Sequence, residues 1–168
     1  DREATVGTEA AVDGREAPSL AALVSQGELP PVEERLPVEP MVVEPVEEVG
    51  QYGGVWRLVA LGGNDGAVFV RNVTYQNLMR WTPDWSGVIP NIAKSVSVSE
   101  DSTVFTFELR EGMRWSDGEP FTADDIRFWF EAVASNEELN PAGPRVGGIP
   151  LEAVEVLNDY SVSFRFAS

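Results

Sequence analysis

Two pairs of alternating segments constrain the fold of this chain more than any other feature. In the first pair, residues 95–99 and 103–110 carry apolar side chains at every second position on either side of a short polar turn. In the second pair, residues 152–156 and 160–166 alternate around Asn158-Asp159. Alternation with a period of two is typical of half-buried β-strands, and a short turn between two such strands favours an antiparallel hairpin. The sequence therefore predicts a largely antiparallel sheet.

The segment that follows the first hairpin predicts a helix with a clear start. Thr122 occupies the N-cap position, and Asp125, three residues later, completes a capping-box pattern. Phe121 and Ile126 stand where a hydrophobic staple would form across that cap. We expect the helix to end near residues 135–136 and to turn one apolar face inward. The residues of that face are Ile126, Trp129, Phe130 and Val133.

Residues 1–50 are predicted to form an extended N-terminal arm. We expect residues 1–15 to be loosely held and residues 17–26 to form a short helix. Residues 30–49 contain five prolines among glutamates and valines, which exclude a continuous helix or a central strand. The expected form is an arm that lies across the body of the protein, held there by apolar side chains. The candidates for these contacts are Leu36, Met41 and Val43.

The folded body is predicted to cover residues 51–168. Residues 55–61 form a short apolar run typical of a buried strand, which a glycine-rich loop at residues 62–66 ends. Residues 67–80 favour a helical stretch, with Val70, Val73, Tyr75 and Leu78 as the candidate inward residues. Together with the hairpins, these elements predict an α/β fold with a mixed, largely antiparallel sheet and flanking helices.

Composition excludes several classes of function. The net charge of −16 disfavours nucleic acid and anionic lipid as partners. The chain has no Cys and no His, which excludes disulfides, thiolate metal sites and a Ser-His-Asp triad within it, and we predict no metal or cofactor. No apolar run reaches the roughly 20 residues that span a membrane. The chain opens at Asp1 without a leader pattern, so we expect that any signal peptide has been removed or is not included.

An acidic cluster leaves two interpretations open, a catalytic one and a structural one. Paired carboxylates can act as general acid and base. The sequence favours the structural interpretation, because one part of the cluster forms an Asp-Gly turn and the other part begins a helix. The cluster consists of Asp117, Glu119, Asp124 and Asp125. We also expect Arg110 to pair with one of these carboxylates, and we do not expect an enzyme.

Residues 90–131 resemble the signature stretch of the family 5 extracellular solute-binding proteins, which serve importers for peptides, nickel and oligopeptides. The signature runs from Pro-x-hydrophobic-Ala-x-Ser through a strand, an acidic turn and Thr-Phe-x-Leu-Arg-x-Gly. It continues as aromatic-x-Asp-Gly-x-Pro and ends at Thr-Ala-x-Asp-hydrophobic. Two departures are mild: Ser102 stands where the family usually has Gly, and Trp115 where it has Phe. The matching residues are Pro90, Ala93, Ser95, Thr106, Phe107, Leu109, Arg110, Gly112, Trp115, Asp117, Gly118, Pro120, Thr122, Ala123, Asp125 and Ile126.

This resemblance implies an N-terminal portion of one lobe of a two-lobed, periplasmic-binding-protein-like fold. It also implies a location outside the cytoplasm, in the periplasm or anchored at the cell surface. The function implied is capture of a solute, a peptide or oligosaccharide, for the membrane permease subunits of an ABC importer, with no chemical change. The alternative is an interaction or sensory module that uses the same fold without transport. Alone, such a part would expose apolar surface and self-associate.

The family's cleft loop suggests where a ligand would bind. In the family the loop after the first strand borders the cleft between the lobes, and here that loop consists of Gly62, Gly63, Asn64 and Asp65. An ordinary tight turn is the other interpretation. The loop at residues 139–148 is a weaker candidate. Trp81 and Trp85 either pack in the core, which we favour, or stack on a sugar or a peptide side chain.

Overall fold

The computed structural model describes residues 16–55, 57–73 and 75–167. The chain divides into two compact units. One unit consists of residues 1–36 and 45–59, and the other consists of residues 37–44 and 60–168. The predicted loose segment at residues 1–15 lies outside the described residues.

The first unit contains two short helices and a buried ion pair. Helix α1 spans Pro18–Ser25, within the predicted 17–26 segment, and α2 spans Val32–Arg35. Proline occupies the first position of α1, where its missing N–H group leaves no hydrogen bond unmade. The guanidinium of Arg35 contacts the buried carboxylate of Glu16 and donates from Nε to the carbonyl of Pro30 at 3.0 Å. These contacts tie the segment before α1 to α2.

The second unit is built on a five-stranded sheet in the order β3-β4-β7-β6-β5. Its strands are β3 at Ala93–Val98, β4 at Val104–Leu109, β5 at Arg145–Val146, β6 at Ile149–Asn158 and β7 at Ser161–Phe166. Every pairing in it is antiparallel, and β3–β4 and β6–β7 are the two predicted hairpins. The turn between β3 and β4 places Ser102 at a φ of +58°, a backbone conformation that favours glycine.

A helix covers one face of this sheet and completes the core. Helix α4 spans Ala123–Phe128, and its capping residue Asp125 accepts a 2.8 Å hydrogen bond from the N–H of Thr122, as predicted. The N–H of Ala123 donates to the carbonyl of Asp159 at 2.8 Å, which fixes the start of α4 against the β6–β7 turn. The buried core consists of Leu109, Ala123, Leu151, Val162 and Phe164. Phe121 and Ile126, the predicted staple pair, pack against it.

The helix continues past Phe128 as a π-helical segment at Trp129–Ala134. The N–H of Ser135 closes this segment by donating to the carbonyl of Phe130 at 2.9 Å, five residues earlier. This wider turn interrupts the α-helical periodicity on which the sequence prediction rested. Phe130 still packs against the core, whereas Trp129 and Val133 are partly exposed, so their predicted burial is wrong.

A third helix and a two-stranded sheet precede the main sheet. Helix α3 spans Asp65–Val73, and β1 at Met79–Trp81 pairs with β2 at Val88–Pro90. The predicted helical stretch at residues 67–80 therefore ends early. Among its predicted inward residues, Leu78 packs against the core while Val70 and Tyr75 are exposed. The side chain of Val73 lies outside the described part.

The predicted buried strand at residues 55–61 is wrong for the residues that the structure describes. They are irregular and exposed, and the side chain of Leu61 is 96% accessible. A strand needs the hydrogen bonds of a neighbour, and no pairing reaches this run within the described ranges. Trp56 of this run lies outside the described residues.

Residues 37–44 of the arm attach to the second unit through backbone groups. The N–H of Val38 donates to the carbonyl of Glu111 at 2.9 Å. Nη1 of Arg110 donates to the carbonyl of Glu39 at 2.8 Å. Met41 is half-buried, whereas Val43 is exposed, so the predicted anchoring by Val43 is wrong. Hydrogen bonds to the main chain hold this segment where the sequence suggested side-chain packing.

Candidate functional site

The predicted ligand loop at residues 62–65 forms a hydrogen-bonded turn that opens helix α3. The Asp65 carboxylate accepts from the N–H of Leu61 at 2.7 Å and from the N–H of Gly62 at 3.3 Å. The N–H of Asp65 donates in turn to the carbonyl of Gly62 at 3.1 Å. The carboxylate thus fixes the loop, while Gly62, Gly63 and Asn64 remain exposed. The structure brings the four predicted residues together in one compact turn.

The two glycines of this loop are not required by the local conformation. Neither has a φ in the left-handed region, and a Cβ added to either would meet nothing within 4 Å. By contrast, Gly112 and Gly118 have φ values of +86° and +95°, so their turns require glycine. At Gly62 and Gly63 the effect of glycine is that no side chain stands between the main chain and solvent.

The acidic cluster has local structural partners. Asp117 Oδ1 accepts from the N–H of Glu119 at 3.0 Å, which closes the Asp-Gly turn. Asp125 caps α4, and Asp124 pairs with Arg127 at 3.0 Å on the exposed side of the helix. Within the described ranges, no group of three or more acidic residues is arranged to hold a metal ion.

Arg110 does not pair with this cluster, contrary to the sequence prediction. Its Nε donates to the carbonyl of Asn91 at 2.9 Å, and its Nη1 donates to the carbonyl of Glu39. The guanidinium therefore joins the arm segment to the loop that precedes β3. The sequence carried no signal for this role, because main-chain carbonyls leave no residue pattern to read.

Two tryptophans stand on the turn of the β1–β2 hairpin. The rings of Trp81 and Trp85 stack with centroids 5.8 Å apart and planes inclined by 28°. Trp81 is 56% exposed and Trp85 is 73% exposed, so the favoured prediction that they pack in the core is wrong. Trp85 also has a φ of +60°.

The turn under these rings is held by a hydrogen-bond network. The N–H of Trp85 and the N–H of Gly87 donate to the carbonyl and the hydroxyl of Thr82, at 2.9 and 3.1 Å. Asp84 Oδ1 accepts from the hydroxyl of Ser86 at 2.8 Å and from its N–H at 3.1 Å. Hydrogen bonding by the hydroxyls of Thr82 and Ser86 lowers the pKa of Asp84 to about 2.

An apolar cavity of about 370 Å³ lies beside α4. The family-signature residue Trp115 lines it together with Trp129, Gln76 and Arg114. Sequence reasoning placed Trp129 in the core and missed this cavity, because the apolar stripe that predicts a buried helix face does not show which of its side chains line a cavity. The weaker candidate loop at 139–148 borders a separate polar cavity of about 540 Å³, where Asn140 donates to the carbonyls of Ala134 and Gly143.

Comparison with known sequences and structures places this geometry in a family. Residues 87–168 match the family model described as bacterial extracellular solute-binding proteins, family 5 Middle. This match contains the signature turn, the capped helix α4 and the whole five-stranded sheet. Residues 87–168 belong to family 5 of the extracellular solute-binding proteins.

Two curated relatives of the chain differ in what their names say they bind. The chain is 36% identical to the periplasmic alpha-galactoside-binding protein of Rhizobium meliloti (strain 1021), over 85% of this chain and 24% of that protein. It is 39% identical to the nickel-binding periplasmic protein of Escherichia coli (strain K12), over 42% of this chain and 13% of that protein. The chain thus spans about a quarter or less of the length of these relatives.

Solved structures confirm the predicted fold class. The oligopeptide-binding protein OppA superposes with a TM-score of 0.78 at 44% identity, over 90% of this chain and 24% of that one. The periplasmic binding protein MelB from Agrobacterium fabrum C58, solved with stachyose, superposes with a TM-score of 0.61 at 25% identity. That superposition covers 92% of this chain and 27% of that one. The antiparallel α/β body is part of a periplasmic binding-protein fold.

Proposed function

We propose that the complete protein captures a small solute, a peptide or an oligosaccharide, outside the cytoplasm for an ABC importer. The solute is handed unchanged to the permease subunits in the membrane. The observation that carries this proposal is the family 5 match of residues 87–168, supported by 36% identity to an alpha-galactoside-binding protein over most of the chain. No helix among the described residues has the length and apolarity needed to cross a bilayer.

We propose that the chain carries out no catalysis. Three carboxylates of the acidic cluster, those of Asp117, Asp125 and Asp124, are engaged in a turn, a helix cap and an exposed ion pair respectively. General acid and base catalysis requires carboxyl groups that can reach a proton of the substrate, whereas these carboxylates are already engaged in contacts within the chain. Relatives named for binding galactosides and nickel support a receptor in preference to an enzyme. Hydrolysis of the bound solute during prolonged incubation, followed by chromatography, would contradict this assignment.

We further propose that Gly62, Gly63, Asn64 and Asp65 contact the solute. Asp65 holds the turn by accepting the N–H of Gly62, and nothing lies within 4 Å of where a side chain would begin at Gly62 or Gly63. A ligand can then approach the main chain closely and hydrogen-bond to it. The local backbone conformation does not require glycine at either position, which supports a role for both glycines in contacting a molecule outside the chain.

The function is tested by a thermal-shift screen of the complete protein against short peptides, oligosaccharides and metal chelates. A solute that binds the folded state raises the melting temperature by mass action. We expect one chemical class to raise it. A folded protein that responds to no compound in the screen would overturn the proposed function.

The loop is tested with Gly63→Val in the same protein. The added side chain enters open space, so the melting temperature without ligand stays unchanged while affinity for the responsive solute falls at least about tenfold. Gly50→Val is the matched control, because Gly50 is also exposed and also has nothing within 4 Å of an added Cβ. Equal affinities for the two variants would remove the loop from the site and leave the transport function standing.

Self-association of the isolated chain is a separate proposal. Large apolar side chains, including Phe128 and Leu139, are exposed in the second unit. Exposed apolar patches favour association between copies. Light scattering on residues 1–168 at increasing concentration is expected to give a rising mean mass, and a constant monomer mass would contradict this.

A further inference from the structure

We propose that Trp81 and Trp85 form a stacking platform for a neutral sugar ring, which makes an oligosaccharide the solute class. This inference rests on the proposed function and names the substrate of that receptor. It concerns the β1–β2 hairpin, which the transport assignment by itself does not use.

The arrangement of the two indoles suits a sugar. Their rings stack with centroids 5.8 Å apart, yet more than half of each side chain remains exposed. The pair therefore presents exposed aromatic surface at a hydrogen-bonded hairpin turn. One face of a pyranose ring consists of C–H groups that pack against an aromatic face, while its hydroxyls remain free to hydrogen-bond.

The conformation of Trp85 indicates that the exposed indole has a role besides folding. A φ of +60° is unfavourable for a bulky side chain, and glycine would adopt it without strain. Packing of the Trp85 side chain in the described part of the second unit offsets little of this strain. Trp85 is 73% exposed, and its aromatic partner is Trp81. Backbone strain of this kind concentrates where a side chain must be held for binding.

Polar groups beside the rings complete a site for hydroxyl-rich ligands. The carboxylate of Asp84 and the hydroxyls of Thr82 and Ser86 lie in the same turn. The hydroxyl hydrogens are used within the turn, so these oxygens would act as acceptors for sugar hydroxyls at the edge of the platform. The carboxylate and the net charge of −16 disfavour anionic ligands. A cationic peptide that stacks on the indoles is the competing occupant.

Resemblance to sugar-binding relatives favours the neutral ligand. The relative aligned over 85% of this chain is named for binding alpha-galactosides, and the MelB structure contains stachyose. OppA, which superposes with a TM-score of 0.78, is named for binding oligopeptides, so the cationic peptide is kept as an outcome of the test. We argue for the sugar on the exposed indole pair together with the two sugar-binding relatives.

The experiment measures binding of stachyose and of trilysine to the complete protein by calorimetry, with three variants. Trp85→Gly removes the indole and also removes the backbone strain, so its melting temperature should not fall. Trp81→Ala removes the other half of the platform. Phe128→Ala is the control, because Phe128 is an exposed aromatic residue at the end of α4. We expect Trp85→Gly and Trp81→Ala each to weaken stachyose binding about tenfold and Phe128→Ala to leave it unchanged.

The outcomes separate this inference from the proposed function. Unchanged stachyose affinity in both tryptophan variants would overturn the platform while the receptor function stands. Binding of trilysine but not stachyose, with loss in the same variants, would overturn the sugar in favour of a cationic peptide. A protein that binds neither probe but responds to another compound in the thermal-shift screen would refute only the substrate class. If no compound in the thermal-shift screen raises the melting temperature, both proposals are refuted.

Discussion

Nη1 of Arg110 donates a 2.8 Å hydrogen bond to the carbonyl of Glu39, which lies 71 residues earlier in the chain. Nε of the same guanidinium donates to the carbonyl of Asn91. One side chain of the family signature thus fixes both the arm segment at residues 37–44 and the entrance to β3.

Replacing Arg110 with Ala should therefore release the arm segment. Loss of hydrogen bonds from a charged, half-buried donor lowers the free energy of unfolding by about 2 kcal/mol. Urea denaturation measures this change, and hydrogen exchange should become faster at Val38, whose N–H donates to Glu111. Arg127→Ala is the control, because its pair with Asp124 is exposed and contributes at most about 1 kcal/mol. Equal destabilisation by the two changes would contradict the role of Arg110.

Ser102→Gly should stabilise the β3–β4 hairpin. Ser102 has a φ of +58°, and the left-handed region costs a non-glycine residue about 1 kcal/mol. Glycine removes this strain, but its greater conformational freedom in the unfolded chain cancels part of the gain in stability. We expect a net gain of about 0.5 kcal/mol, measured by thermal and urea unfolding. Gly118→Ala is the reciprocal variant at a φ of +95° and should destabilise by about 1 kcal/mol. A loss of stability in Ser102→Gly would refute the strain argument.

Asp125→Ala should weaken the start of helix α4. Its carboxylate accepts the N–H of Thr122, and loss of a helix cap costs about 1 kcal/mol. Asp124→Ala removes a neighbouring carboxylate whose partner is the exposed Arg127, so it serves as the control and should change the free energy of unfolding much less. The comparison fails if the two variants unfold at the same urea concentration.

The Trp81–Trp85 turn should lose stability only in strong acid. Hydrogen bonds from Thr82 and Ser86 lower the pKa of Asp84 from 3.8 to about 2. Because the folded-state pKa lies below the unfolded value, the contribution is complete above about pH 4 and disappears as the pH falls toward 2. Carboxyl NMR titration should place the Asp84 midpoint near 2, and Ser86→Ala should raise it toward 3.8. An unmoved midpoint in that variant would rule out the hydroxyl as a cause.

The sequence predicted the parts of the fold whose cause is local. The hairpins β3–β4 and β6–β7 follow from alternation and short turns, and the start of α4 follows from Thr122 and Asp125. These patterns act within a few residues, so composition and spacing capture them. The glycine-rich turn before α3 was predictable for the same reason.

The errors occurred where the outcome depends on distant partners or on irregular backbone. An apolar run at residues 55–61 becomes a strand only beside another strand, and none pairs with it in the described part of the chain. Tryptophan is a residue type that is often buried, yet Trp81 and Trp85 lie on a short hairpin where both are exposed. The attachment of the arm relies on carbonyl groups of Glu39 and Glu111, which every residue type carries.

The π-helical segment at Trp129–Ala134 has an evolutionary consequence. A turn closed between residues five apart accommodates one residue more than an α-helical turn, so the segment behaves as a single-residue insertion in the helical stretch that continues α4. Removing one residue there would restore regular α-helical geometry and leave the capped start of α4 at Thr122 untouched. Length differences of one residue among homologous chains should therefore be tolerated after Phe130, whereas an insertion inside α4 would rotate Ile126 away from the core.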